Sequence, residues 1–478
     1  MNTEAFLAAL GEALGAGQVL RGEAIAERHR SDWSGVAPVL PLALVRPRDT
    51  REVSAVLRLC SEHRVPVVPQ GGLTGLAGAA VPRADAIALS LERMNAIESL
   101  DAAAGTLTVQ AGATLQSVQE AAAAQGLLFG VDFGARGSCQ IGGALSTNAG
   151  GNGVLQFGMM REQALGLEVV LADGRVLPML RPMLKNNTGY DLKQFFIGAE
   201  GTLGVITRAL LRLHPAPRAK ATALVALPDF EAALALLRRL GARFPGALAA
   251  FELMWRDFVQ TSLRWQQLRE PFDAVHPLVA LVDVAGEDGA ALREALEAAL
   301  AGAMEEGAAV DAVIAQSQAQ ARAFWKIREA TAELPVHMHP PINLDVSLPM
   351  ASIGRFADDC RAALDARWPG HHSLFFGHVG DSNLHVTTDG QAIGGEAEAF
   401  ERMVYAQVEA CGGSISAEHG IGLHKKPYLG ASRTPDELAA MRAIKQALDP
   451  LHLLNPGKVF DLCCLLYTSD AADDTPCV

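Results

Sequence analysis

Val65-Pro-Val-Val-Pro69-Gln70-Gly71-Gly72-Leu73-Thr74-Gly75-Leu-Ala-Gly78 runs a short β-branched strand straight into a glycine loop. Glycines lack a Cβ, so the backbone N–H groups of such a loop can close on an anion. Two common phosphate patterns do not fit. No Gly-Lys-Ser/Thr is present, which excludes a nucleoside-triphosphate loop. The spacing Gly72-x-x-Gly75-x-x-Gly78 is also not the G-x-G-x-x-G of a Rossmann turn. Upstream, Ala43–Val45 reads as a strand, and Asp49-Thr50 caps a helix carrying Val53, Val56, Leu57 and Cys60 on one face.

Downstream lie two further glycine clusters. Gly137-Ser138-Cys-Gln-Ile-Gly142-Gly143-Ala-Leu-Ser-Thr147-Asn148-Ala-Gly150-Gly151 is one, and Ile197-Gly-Ala-Glu200-Gly201-Thr-Leu-Gly204-Val-Ile206 is the other. Three such segments between residues 69 and 206 are hard to explain as unrelated turns, and they point to one extended dinucleotide lying across several loops. Around them, strands are expected at 86–91, 106–109 and 164–171, with Asp173-Gly174 as a tight hairpin turn. The first 30 residues read as helical from the spacing of Phe6, Leu7, Leu10 and Leu14.

The prolines of Leu213-His-Pro-Ala-Pro-Arg218 mark a boundary. Beyond it, strands at 222–227, 249–253 and 278–284 alternate with amphipathic helices at 229–240 and 288–301, predicting a small sheet with helices on one face. The reading divides the chain into residues 1–218, 219–415 and 416–461. A tail follows the stop at Asn455-Pro-Gly-Lys458. That tail, 462–478, resembles adapter read-through and is expected to be non-native.

The 478 residues are 50% hydrophobic and 19% charged, a globular composition. A net charge of −13 argues against a broad nucleic-acid or anionic-membrane surface. No run is apolar enough for a membrane span, and Met1–Arg21 lacks a basic secretory n-region, so a cytoplasmic location is expected. Cys60, Cys139, Cys360 and Cys411 are scattered without a C-x-x-C, as reduced thiols are.

Gly377-His378-Val-Gly-Asp381-Ser382-Asn383-Leu-His385 carries the sharpest local signal. Folded as a hairpin with Asp381-Ser382 at the turn, it sets His378 opposite His385, with Cβ atoms about 4.5–5.5 Å apart. Two imidazoles at that separation can hold one divalent ion. Glu418, in Ser416-Ala-Glu-His-Gly420, is the candidate third ligand. The adjoining His419 is the candidate base for a hydroxyl proton. His337, His339, His371 and His372 lack such context and read as surface or core residues.

Pro69–Gly78, Gly134-Ala-Arg-Gly-Ser-Cys-x-Ile-Gly-Gly143, Thr147–Gly151, Lys185-Asn-Asn-Thr-Gly-Tyr-Asp-Leu-Lys193 and Ile197–Gly204 together resemble the FAD domain of the vanillyl-alcohol oxidase/p-cresol methylhydroxylase superfamily. The nearest likeness is to its D-2-hydroxy-acid dehydrogenase branch, over residues 35–460. The resemblance implies an α+β fold: a two-subdomain FAD-binding domain, an antiparallel-sheet substrate (cap) domain, and a C-terminal helical segment returning to the flavin. It places FAD on Pro69, Gln70, Gly71, Gly72, Leu73, Thr74 and Gly75, and on Gly137, Ser138, Gly142, Gly143, Thr147, Asn148, Gly150 and Gly151. Glu200, Gly201, Gly204, Ile206 and Asn455 complete that set. Some superfamily members attach FAD through a histidine where this chain has Gln70, so non-covalent FAD is expected.

The same resemblance supports His378, His385 and Glu418 as ligands of a divalent metal, zinc first, with manganese or iron as alternatives. It makes His419 the base, and Arg328, in Phe324-Trp-Lys-Ile-Arg-Glu329, the partner of a substrate carboxylate, with Lys326 second. Asn383 joins the substrate contacts. The D-2-hydroxyglutarate branch often carries a lysine at the position of Asn343, and its absence leaves a shorter or less charged acid open. The implied activity is oxidation of a small D-2-hydroxy acid to the 2-oxo acid, with hydride passing to flavin N5. Electrons then go to a quinone, an electron-transfer flavoprotein or a cytochrome. An oxygen-using oxidase and a flavin subunit of a larger complex remain as alternatives, and a homodimer is among the open oligomeric states.

Overall fold

A computed structural model of the chain describes residues 2–461; the tail at 462–478 lies outside the described residues. At the start, only Thr3–Leu14 of the expected helix forms, burying Phe6, Leu7, Leu10 and Leu14 and capped by the Asn2 side chain. Gly15, at φ +88°, ends it, and short 3₁₀ turns follow.

The first sheet contains β1 (Val19–Leu20), β2 (Ala43–Val45), β3 (Val67–Gln70) and β4 (Ile87–Ser90) in the order β1-β2-β4-β3. β2, β4 and β3 are parallel. The helix Thr50–His63 crosses between β2 and β3, with Asp49 accepting from the Glu52 amide at 3.0 Å. β3 starts two residues later than the sequence suggests. The Val65 amide is spent on the Cys60 carbonyl (2.9 Å) at the helix end, and Pro66 has no N–H.

The second sheet is antiparallel, built from β5 (Ile97–Asp101), β6 (Thr106–Gln110), β8 (Ala164–Val170), β9 (Val176–Met179) and β10 (Val205–Arg212) in the order β5-β6-β10-β8-β9. A small pair, β7 (Leu127–Leu128) with β11 (His214–Pro215), flanks it. The β8–β9 turn falls at Asp173-Gly174, where Gly174 takes φ +84°. Both sheets share one hydrophobic core.

The remaining strands are β12 (Ala219–Leu227), β13 (Leu248–Trp255), β14 (Leu278–Gly286), β15 (Asp311–Ile314), β16 (Pro341–Ser347), β17 (Ser373–Gly377) and β18 (Asn383–Asp389). They form one seven-stranded antiparallel sheet, β15-β12-β14-β13-β17-β18-β16. Helices cover both of its faces, not one. Ala223, Val225, Phe251, Leu253 and Phe375 face the helices Phe230–Arg243, Gly289–Glu305 and Ile353–Arg367. Leu224, Ala226, Met254, Leu281 and Phe376 face Arg256–Trp265 and Gln318–Arg328. The reason is visible in Leu278–Val284, which is apolar at almost every position, as strands buried on both faces are.

Toward β16–β18 the second face turns polar. Glu252, Asn343, Asp345, Asn383, His385 and Thr387 share it with Met254 and Phe376, because strand side chains alternate with period two. The chain after Ser416 then returns to the first sheets. Ile421 and Gly422 amides reach Glu200, Leu423 N–H donates to the Ala77 carbonyl, and the Asn455 amide to the Val67 carbonyl. This return brings the 416–420 loop against the polar face. Among the described residues, no helix is long and apolar enough to cross a membrane.

Candidate active site

The glycine clusters meet. A Cβ on Gly72 would lie 2.0 Å from the Ser138 carbonyl oxygen, and one on Gly71 would lie 3.4 Å from the Gly143 Cα. Gly137–Gly151 contains a helix, Ile141–Thr147, that points its first turn at the 71–75 loop. Thr147 turns its hydroxyl back onto the Gly143 carbonyl, and Asn148 closes the helix in the left-handed region at φ +51°. Leu73 is also left-handed, at φ +60°, a conformation that non-glycine residues hold where a site demands it. Among the described residues, the amides of Gly71–Gly75 and Gly143 donate to no protein acceptor. Six free donors on two adjoining loops fit a pyrophosphate. Nearby, the buried carbonyl oxygens of the Asn455 and Gln140 side chains lack hydrogen-bond partners, as acceptors awaiting a ligand donor do. These features fit FAD.

Other expected cofactor residues are committed to protein contacts or packing. The Gln70 amide is fully used on His29 and Ala80, and Gly201 packs on Pro69. Gly204 leaves room for Val169 and Phe196, and Ile206 is buried in β10 opposite Val169. Glu200 turns its carboxylate to the Ile421 and Gly422 amides (2.7 and 2.8 Å), so it ties the returning chain to the cradle. Lys185–Lys193 lies on the surface, with Tyr190 exposed.

His378 and His385 converge, but by a different route from a tight hairpin. His385 pairs with Phe376 and Asp345, so the register is shifted by two residues from the expected one. His378 lies outside the strand, and its carbonyl accepts from Asp381 (3.0 Å) and Asn383 (3.2 Å) in a 3₁₀ turn that Ser382 closes at φ +74°. The wider loop still points both imidazoles inward, with ring centroids 5.8 Å apart. Glu418 joins them, and one ligand atom from each of the three lies within 4.8 Å of the others. Glu418 also accepts from the Gly151 amide at 3.1 Å. The imidazole–carboxylate cluster therefore abuts the second glycine cluster directly.

Electrostatics differ between the two histidines. Burial and the nearby Arg328, His378 and His419 hold His385 well below the usual range, so it stays neutral, as a metal ligand must. Its Nδ1 is buried without a partner. Burial opposes charge on His378 too, but the Glu252 carboxylate overrides it and pushes the imidazole up to about 9. An ion at this ring therefore competes with a proton. Burial pushes the Asp381 carboxyl beside them up to about 7.

His419 sits 6.1 Å from His385, centroid to centroid. Its Nδ1 meets Asp345 Oδ1 at 2.9 Å. Asp345, fully buried, also accepts from the Glu418 and His419 amides (2.7 and 2.9 Å) and binds Lys425. Burial works against its charge, but His419 and Lys425 hold its carboxyl well below the ordinary range. One carboxylate thus orients the candidate base and fixes the ligand loop. Asp345→Asn is expected to destabilise the protein by about 3–5 kcal/mol, because Lys425 is left buried and uncompensated. Denaturant unfolding measures this.

Arg328 is buried, as a site arginine should be, and Lys326 is exposed away from the site. Part of Arg328 is already committed: its Nε donates to Glu252 at 2.8 Å, and its Nη2 lies 3.3 Å from His378 Nε2. Its guanidinium carbon stands 4.9 Å over the Phe376 ring. Asn383 is 3% exposed, with its side-chain oxygen unpartnered, on the same face of β18 as His385. Sequence reasoning missed Glu252 and Asp345. His337, stacked on Trp265 at 4.6 Å, and His371, bonded to Ser373, stand apart from the cluster.

A flavin cradle set beside an inward-facing imidazole–carboxylate cluster defines an FAD-dependent oxidoreductase acting on a CH–OH group. Comparison with known proteins agrees. Residues 41–179 match the FAD binding domain family, and residues 216–459 match the family of FAD linked oxidases, C-terminal domain. The D-2-hydroxyglutarate dehydrogenase of Xanthomonas citri pv. viticola is 39% identical over 456 residues, 94% of each chain. The mitochondrial D-2-hydroxyglutarate dehydrogenase of Bos taurus is 37% identical over 444 residues, 93% of this chain and 81% of that one. Substrate-bound p-cresol methylhydroxylase superposes with a TM-score of 0.74 at 17% identity, over 96% of this chain and 97% of that one. The chain belongs to the FAD-linked oxidases, with D-2-hydroxyglutarate dehydrogenases among its relatives and the fold of p-cresol methylhydroxylase.

Proposed function

We propose that this enzyme oxidises a small D-2-hydroxy acid to the 2-oxo acid, using non-covalent FAD and a divalent ion held by His378, His385 and Glu418. The observation that carries the proposal is the contact of Glu418 with Gly151, which sets the ligand cluster against the flavin cradle. Bound FAD supplies a two-electron acceptor, and a bound divalent ion, zinc first, supplies a Lewis acid. Arg328 and Asn383 orient the substrate carboxylate. His419 takes the hydroxyl proton as the C2 hydride leaves, and Asp345 steadies the resulting imidazolium. Gln70, whose amide is fully hydrogen-bonded, offers no attachment atom for the flavin. Electrons leave to a quinone, an electron-transfer flavoprotein or a cytochrome.

D-2-hydroxyglutarate leads as substrate, from the names of the relatives. A shorter acid is the second reading. Asn343, two residues from Asp345 on the same face, is paired only with the Thr387 hydroxyl (2.9 Å) and offers no cation to a second carboxylate. Steady-state kcat/KM with D-2-hydroxyglutarate, D-malate, D-lactate and their L-enantiomers tests both. Turnover confined to the D-series supports the proposal, and the best D-acid names the tail. Turnover of L-acids, or of none, contradicts it.

A further inference from the structure

We propose that Glu252 is a positioning residue that ties metal capture to substrate-carboxylate binding through one buried carboxylate. The inference rests on the metal reading above.

Glu252 lies in the middle of β13, between Phe251 and Leu253, which pack on the opposite face of the sheet. It is 1% exposed. An isolated carboxylate is costly at such a place, and a well-packed apolar residue serves stability as well or better. Both of its oxygens are used, one for each function. Oε1 faces His378 Nδ1 at 2.6 Å, and Oε2 accepts from Arg328 Nε at 2.8 Å. With Nδ1–H donated to the carboxylate, the ligating lone pair of His378 is confined to Nε2. With Nε engaged on Glu252, the Arg328 guanidinium stands over Phe376, and its Nη2 approaches that same nitrogen to 3.3 Å. The ligand atom and the edge of the arginine are therefore presented side by side by a single group. A 2-hydroxy acid that reaches both with its carboxylate end finds them already aligned.

The test compares wild type, Glu252→Gln, Glu252→Asp and His385→Ala as FAD-loaded proteins. Zn²⁺ affinity is measured by competition with a chromophoric chelator, and KM and kcat for the best D-acid at saturating Zn²⁺. Glutamine keeps the shape of the side chain and can still accept from Arg328, but its other atom is an N–H facing His378, which drives the imidazole proton to Nε2. Glu252→Gln should weaken Zn²⁺ binding about 10–100-fold and raise KM, with FAD content unchanged. Glu252→Asp keeps the charge and should fall between wild type and glutamine in Zn²⁺ affinity, an order that a purely structural role does not produce. If the glutamine variant does not fold, the aspartate variant carries the same comparison. Wild-type Zn²⁺ affinity together with wild-type KM in Glu252→Gln overturns the inference. Equally weak Zn²⁺ binding by wild type and His385→Ala overturns the metal reading, and the inference falls with it.

Discussion

His419→Ala is expected to slow anaerobic flavin reduction by the D-acid about 10²–10⁴-fold, the usual worth of a positioned general base. FAD content and Zn²⁺ binding should remain near wild type. The imidazole adjoins the ligand loop without being a ligand, and its Nδ1 is held by Asp345 at 2.9 Å, leaving Nε2 to receive the proton. Asp345 keeps Lys425 and the Glu418 amide when the imidazole is removed, so the loop keeps its place. The loss should appear mainly in the reduction rate and less in KM, because the base acts on the proton being transferred and not on the carboxylate. Stopped-flow reduction at several substrate concentrations separates the two. Reduction at the wild-type rate places the base elsewhere.

His378→Ala is expected to abolish tight Zn²⁺ binding and to cut turnover by roughly 10²–10⁴-fold, since a Lewis acid contributes several kcal/mol and each 1.36 kcal/mol is tenfold in rate. Here too the flavin should stay bound, because its proposed cradle, the Gly71–Gly75 and Gly137–Gly151 loops, lies on other elements. The variant also leaves Glu252 with Arg328 as its one remaining partner, so some loss of stability should accompany the loss of metal. Metal analysis of the purified protein, with absorbance for flavin content, reads both effects. A variant with full metal content and normal turnover removes His378 from the site.

The sequence made some of this architecture legible and hid other parts, for physical reasons. That the glycine clusters would meet was legible because close backbone approach demands residues without a Cβ, and Gly72 against Ser138 shows that approach. His378 and His385 were readable because they flank one glycine-bearing turn between strands, and Glu418 because it adjoins His419 in a short polar loop. Their convergence survived a wrong register: the pairing is shifted by two residues, yet both rings still turn inward. The two-sided burial of the large sheet was not read, although the apolar run of β14, interrupted only by Asp283, carries that signal. Glu252 and Asp345 were missed because each is a lone acid inside an apolar strand. That isolation was itself the signal, since a charge at the centre of a buried strand must have partners. Which cations supply them depends on Arg328 and Lys425, far apart in sequence, and only the fold brings those together.

The most direct test of the account is anaerobic mixing of the flavin-loaded protein with its best D-2-hydroxy acid, with and without prior chelation. The oxidised-flavin band should bleach, chelation should abolish the bleaching, and added Zn²⁺ should restore it. Bleaching that persists in the fully chelated protein would contradict the joint flavin–metal site on which the proposed function rests.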